Sequence, residues 1–398
     1  MCLLHRAHVL KTPPAIFSES AARESGSTGL LPQAGAEPGL EEESPVIAAT
    51  VEEPRKKRTP RLKWAELLRR STWNCPRGLL NGLQRRGPSN WRGNDGMPVH
   101  LLFTHPFSLP RLLVTPVPAV VVGVYVMLRH GVSPAVIGLQ VAAALLGAWG
   151  GARVARLPWD KVLAWAPALA VGGLLCGFLT LVSPGLEGVH RWWVLGPLRV
   201  HASSLLAPFV LLGTAVLFEA GRPLAAAGAV LLMQALHLVQ PDAAQATALG
   251  AASLVLLSLS PGGPLLRWSL GSVVLLSTAL AWGRPDPLLP VPHVEDIVRL
   301  AAEVGLLWGF AAVASLAVIP LGLALVGVSG WSRASPLERR VTASLAMYLG
   351  IQALTPAFGH FPVPVLGFGV SPLLGTWLSL GIVGVLGPRR GSKGSSTG

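Results

Sequence analysis

The residues best suited to chemistry in this sequence lie in the stretch Pro290-Val-Pro-His293-Val-Glu295-Asp296-Ile-Val-Arg299-Leu-Ala-Ala-Glu303. Glu295, Arg299 and Glu303 recur at i, i+4 and i+8, so on a helix they stack along one face. One reading is an ion-pair ladder that fixes helix packing. The other places Glu295 or Asp296 at the mouth of a wet cavity, with His293 beside it. A partly desolvated carboxylate tuned by its neighbours is suited to take a proton from a hydroxyl. Arg299 and Glu303 fall within an apolar run. Ionisable groups at membrane depth are expected to face a bundle interior or a water-filled hollow and to pair with one another.

Three further stretches carry polar or special residues. In Gln240-Pro241-Asp242, Pro241 suits a first helical turn and Asp242 can cap it; alternatively, Asp242 is a carboxylate facing an external cavity. The segment from Gly188 to Ser204 holds Arg191, Trp192, Trp193, Arg199 and His201. On its own it reads as an interfacial amphipathic segment, with the tryptophans in an aromatic belt and the arginines near headgroups. In Gly359 to Leu374, Pro362 and Pro364 predict a kinked approach to a last helix, and Gly367 and Gly369 permit close contact.

The elements that position these residues follow from hydropathy. Of 398 residues, 51% are hydrophobic and 13% charged, and the mean hydropathy is +0.54. A soluble chain of this length needs a larger charged surface. Long apolar runs alternate with short Pro, Gly and charged loops, the pattern of an all-α polytopic membrane protein. Ten helices are expected, at about 112–128, 135–153, 161–183, 201–219, 223–239, 243–259, 267–283, 297–327, 338–355 and 363–386. With both termini in the cytoplasm, inner loops and the tail hold roughly eleven Lys or Arg against four outside, as the positive-inside rule requires. The lipid bilayer of a bacterial inner membrane is therefore the expected setting. Three loops then lie outside: Ser183 to Val200, Gln240 to Asp242, and Gly283 to Asp296. Function is expected among them.

The net charge of +13 fits cytoplasmic loops, and nucleic acid is not an expected partner. Residues 1–96 read as a disordered or spurious extension, with Met97 a plausible start; 97–398 form the membrane domain. Within the extension, Arg61 to Arg70 with Cys75-Pro76 is similar to a transposase fragment over about fifteen residues, but its Cys pair is incomplete and implies no zinc. Cys2, Cys75 and Cys176 have no metal-ligand spacing.

Taken in order, the four stretches resemble the SEDS family (shape, elongation, division and sporulation) over about 180–386. Gly188, Arg191, Trp192, Leu195 and Gly196 match its G-x-x-R-W-x-x-[LI]-G motif. Gln240, Pro241 and Asp242 match Q-P-D. Pro290, His293 and Glu295 fall on P-E-x-H-T-D, with Glu295 at the key aspartate and Glu303 in the following E-E-x-G. Pro362, Pro364, Gly369, Ser371 and Leu373 match the closing L-P-x-P-F-x-S-x-G-G-S-S-L.

The resemblance implies a ten-helix bundle that polymerises lipid II into peptidoglycan, for cell shape or division, beside a class B penicillin-binding transpeptidase. It implies Glu295 as catalytic base, with Asp296 as second choice. Arg191 and Arg299 would hold phosphate, and Trp192, Asp242, His293 and Glu303 would complete the substrate site. The cofactor is open, with a divalent cation the candidate. The family's Q-P-S-E and following Lys are replaced by His201, Ala202, Ser203, Ser204 and Ala207, which removes a carboxylate and an ammonium. Two alternatives are a non-catalytic membrane scaffold and a transporter of lipid or small solutes.

Overall fold

A computed structural model describes residues 109–196, 198–330 and 334–386. The N-terminal extension, Met97, Arg333 and the basic tail lie outside the described residues. The chain is mostly helical: α1 (Leu109–Val114), α2 (Val117–Arg129), α3 (Pro134–Val154), α4 (Trp159–Leu179), α5 (Ala202–Glu219), α6 (Pro223–Val239), α7 (Ala243–Leu259), α8 (Pro264–Trp282), α9 (Ile297–Val304), α10 (Leu306–Gly330), α11 (Pro336–Leu354) and α12 (Val370–Leu386).

Among the described residues, six helical stretches are long and apolar enough to cross a membrane: Pro110–Arg129, Pro134–Val154, Trp159–Val182, Ala202–Glu219, Pro264–Trp282 and Leu306–Val328. Helices α6, α7 and α12 are apolar but shorter. Large apolar side chains such as Leu145, Trp165, Leu276 and Phe310 face outward, while Gln140, Gln234, His237 and Gln245 are buried. Apolar outside and polar inside suits a hydrocarbon solvent, where polar groups find partners only within the bundle.

Local chemistry sets the helix starts. Ser133 accepts from the Val136 N–H ahead of α3. Ser335 and Glu338 form a capping box at α11, with Pro336 at its first turn. Asp242 caps α7 by accepting from the Gln245 N–H at 3.2 Å. Helix α12 crosses α3 at Gly151 and Gly381, where a Cβ on either would strike the other backbone, the close approach that small residues permit.

Three features depart from the sequence reading. The segment around Trp192, for which the sequence reading gave no strand, is an antiparallel hairpin, β1 (Trp192–Leu195) and β2 (Leu198–His201), turning at Gly196 with φ 60°. The span expected at 297–327 is broken at Gly305, whose backbone is extended (φ 161°, ψ 152°), so α9 and α10 are separate helices. The last span begins only at Val370, and 363–369 is an irregular segment.

That segment is held by a buried residue of α3. Gln140 Nε2 donates to the carbonyls of Val365 (3.1 Å) and Gly367 (3.0 Å), and its Oε1 accepts from the Gly369 N–H at 3.1 Å. Val365 sits in the left-handed region at φ 66°, a strained place for a β-branched residue.

Candidate active cavity

The loop before α9, the hairpin, the α6–α7 junction and the segment before α12 meet around one cavity of about 330 Å³. Arg191, Trp192, Asp242 and Glu295 all line it. The outermost of these residues, Arg191 and Glu295, are more than a hundred positions apart in the sequence, and the fold brings them together. At the opposite ends of α5, α7 and α11, Arg340 pairs with Glu219 and donates to the Leu259 carbonyl at 2.8 Å.

The hairpin is anchored by Arg191, which is buried. Its Nε donates to the Gln240 carbonyl at 2.9 Å, and one terminal nitrogen reaches the Pro241 carbonyl and Asp286 Oδ2, the latter at 2.8 Å. Gln240 in turn donates to Thr180 Oγ1 (2.6 Å) and the His190 carbonyl (2.8 Å). Arg191 is thus committed to holding the hairpin, the junction and the α8–α9 loop in register. Arg199 also lines the cavity, is exposed, and makes no hydrogen bond or ion pair among the described residues.

Asp242 is buried at the cavity wall, where His201 Nε2 stands 3.1 Å from its Oδ2. The pair meets at ion-pair distance without hydrogen-bond alignment, and Oδ2 has no hydrogen-bond partner. Burial alone would push this carboxyl up, but Arg191 and His201 together outweigh it and hold the group below the usual carboxylate range. Asp242 is therefore ionised. Trp192 meets His201 edge to face, ring centres 5.8 Å apart.

Glu295 lines the cavity and accepts from the Val291 N–H. Burial raises its pKa, and neighbouring Asp296 and Asp286 add to the rise while the Val291 hydrogen bond opposes it. The loop that carries it is clamped against 363–369: Val363 N–H donates to the Val294 carbonyl (3.0 Å), and Phe368 N–H to that of His293 (2.9 Å). A Cβ on Gly367 would collide with the Val294 carbonyl.

The remaining sequence candidates lie apart from the cavity. Arg299 pairs with Asp296 (3.0 Å) and Glu303 (2.5 Å) on an exposed face of α9. Glu303 also stands 3.6 Å from His130 Nε2. The paired ladder therefore runs Asp296–Arg299–Glu303, while Glu295 turns inward. The His293 ring packs near Phe368 with centres 6.1 Å apart, and burial lowers its pKa.

Sequence reasoning missed Asp286, Gln140 and the neutral network around Ser204. Ser204 Oγ accepts from Gln245 Nε2 (2.9 Å), and Gln245 Oε1 accepts from Tyr348 (2.8 Å) and Gln352 (3.2 Å). Ala207, where the resemblance expects a Lys, is fully buried. The charged pair is thus replaced by hydrogen-bonded neutral groups. Among the described residues no three His, Cys, Asp or Glu converge on a point where a metal ion would sit.

No protein-family model matches the sequence, and no curated protein matches it. Solved structures do. RodA, the rod shape determining protein of Thermus thermophilus, aligns over 68% of this chain and 94% of its own at 23% identity and a TM-score of 0.51. A variant of it with one aspartate changed to alanine aligns over the same shares at 21% and 0.54. A chain from a peptidoglycan synthase complex, described as coordinating polymerization and crosslinking, aligns over 69% of this chain and 96% of its own at 22% and 0.53. With its apolar outward faces and membrane-length helices, the chain is a multi-pass membrane protein with the SEDS-like fold of RodA.

Proposed function

We propose that this chain is a SEDS-type enzyme of peptidoglycan synthesis in the bacterial inner membrane, polymerising lipid II for cell shape or division. Its bundle spans the bilayer ten times with both termini in the cytoplasm. The observation that carries the reading is the single cavity that unites Glu295, Asp242 and Arg191. Glu295 is the base that takes the proton of the acceptor sugar hydroxyl. Its pKa, raised by burial, makes it a better proton acceptor than an ordinary carboxylate. Arg191 positions the hairpin, and the unpaired Arg199 offers its guanidinium to the diphosphate. Asp296 and Arg299, engaged with each other outside the cavity, take no part in the chemistry. A class B penicillin-binding transpeptidase is the expected partner, because one structural neighbour belongs to a synthase complex.

A scaffold without activity is the second reading, favoured by Ala207 and by the neutral network around Ser204. Incubating purified protein with lipid II separates the two. Polymer is expected from the unaltered chain, with a loss of about 100-fold or more in Glu295→Gln, the scale of a general base, while Asp296→Asn retains it. Absence of polymer from the unaltered chain, with and without the transpeptidase, would remove the enzymatic reading.

A further inference from the structure

We propose that Ser204, His201 and Asp242 form a nucleophilic triad in the same cavity, able to cleave a carboxylic ester that carries an apolar chain. Ser204 and Asp242 stand beside the two ring nitrogens of His201. Ser204 Oγ is 3.1 Å from His201 Nδ1, and His201 Nε2 is 3.1 Å from Asp242 Oδ2. The tautomer follows from the backbone. The Ser204 N–H donates to Nδ1 at 3.3 Å, so Nδ1 carries a lone pair and the ring proton sits on Nε2, facing Asp242. That order of acceptor, imidazole and carboxylate is the arrangement that activates a serine hydroxyl. The two ring nitrogens exchange the roles they have in serine proteases: here Nδ1 faces the serine and Nε2 the carboxylate.

Three further observations favour reactivity. The Gln245 amide is oriented by Tyr348 and Gln352 and donates to Ser204 Oγ, which leaves the hydroxyl proton to point at His201 Nδ1. His201 is held from both sides, by its backbone N–H donating to Ser371 Oγ at 2.7 Å and by the Trp192 ring edge. Asp242 Oδ2 is buried without a hydrogen-bond partner and lies 3.1 Å from Nε2, so its charge favours the imidazolium that forms. The substrate class follows from the walls, where Leu139, Leu186, Leu198, Leu289, Phe361 and Phe368 leave room for an apolar chain.

In the acyl step, Ser204 Oγ bonds to the ester carbonyl carbon as its proton passes to His201 Nδ1. The ester C–O bond breaks, and the leaving alcohol takes that proton. Water then attacks the acyl-serine, giving a proton to Nδ1, which returns it to Ser204 as the carboxylic acid departs. The cavity is the one assigned above, but this inference does not depend on glycosyl transfer.

The test uses the full purified chain and an alkyl phosphonofluoridate, which loses fluoride to an activated serine. Peptide mass spectrometry is expected to find one adduct, on Ser204. Ser204→Ala should abolish it, and His201→Gln should slow it by about 100-fold or more. Asp242→Asn, which keeps the helix cap, serves as the second arm if His201→Gln does not fold. No adduct, an adduct elsewhere, or a rate unchanged in both variants would overturn the triad. A chain that is labelled but makes no polymer supports the triad and removes the polymerase reading; polymer without label does the reverse.

Discussion

Replacing Gln140 by Met should loosen the whole cavity, although Gln140 touches none of the candidate catalytic groups. Methionine matches its length and stays apolar, so the helix and its packing survive. Lost are two donated hydrogen bonds, to Val365 and Gly367, and one accepted from Gly369. At about 0.6–1 kcal/mol for each bond in a membrane bundle, these contribute about 2–3 kcal/mol. The left-handed backbone at Val365 stores a further roughly 1–3 kcal/mol, which nothing then opposes. Melting of the purified protein should fall by about 4–12 °C, taking 2–4 °C per kcal/mol. Hydrogen exchange should rise in 363–369 and, through the Val363 and Phe368 hydrogen bonds, in the loop at His293 to Glu295. Gln140→Glu keeps only the acceptor and adds charge, so its loss should be at least as large. If both variants melt like the parent, with exchange unchanged, Gln140 does not position the segment and this account of the cavity wall is wrong.

Other outcomes follow from the same contacts. Because burial raises the Glu295 pKa, polymerisation should show an acid limb above the ordinary carboxylate range, seen in a pH profile of initial rates. The same shift has a stability sign. Folding is disfavoured where Glu295 is ionised, so Glu295→Gln should raise the melting temperature at neutral pH, and the gain should vanish below about pH 4.5, the ordinary glutamate value. Gly367→Ala should cost about 1–3 kcal/mol by collision with the Val294 carbonyl. Gly150→Ala, with open space at its Cβ, should be neutral or stabilising by up to about 1 kcal/mol in the same melt. Asp286→Asn should lower the melting temperature, because it leaves the buried Arg191 guanidinium without this counter-ion.

The helical segments were legible because hydropathy is a local property, and each apolar run in the sequence corresponds to a helix or helix pair. The break at Gly305 was not legible, since an isolated Gly inside an apolar run is ordinarily tolerated in a helix. The hairpin was hidden by its composition. Two tryptophans and two arginines also suit a membrane interface, and only the Gly196-Pro197 dipeptide between apolar residues marked a turn. Of the residues that line the cavity, Glu295, Asp242, Trp192 and Arg191 stood out in their stretches. Asp286 was not, because its meaning depends on a partner 95 residues away. His201 and Ser204 looked like losses when set against a motif. Only tertiary contact places an imidazole between a hydroxyl and a carboxylate.

The segment that Gln140 grips has a consequence for biosynthesis. Residues 360–372 supply one wall of the cavity, and they leave the ribosome after the hairpin, the α6–α7 junction and the Glu295 loop. A nascent chain can thus have most of its helices in the bilayer while its reactive groups still lack a common enclosure. That enclosure is complete only once α12 has docked beside α3.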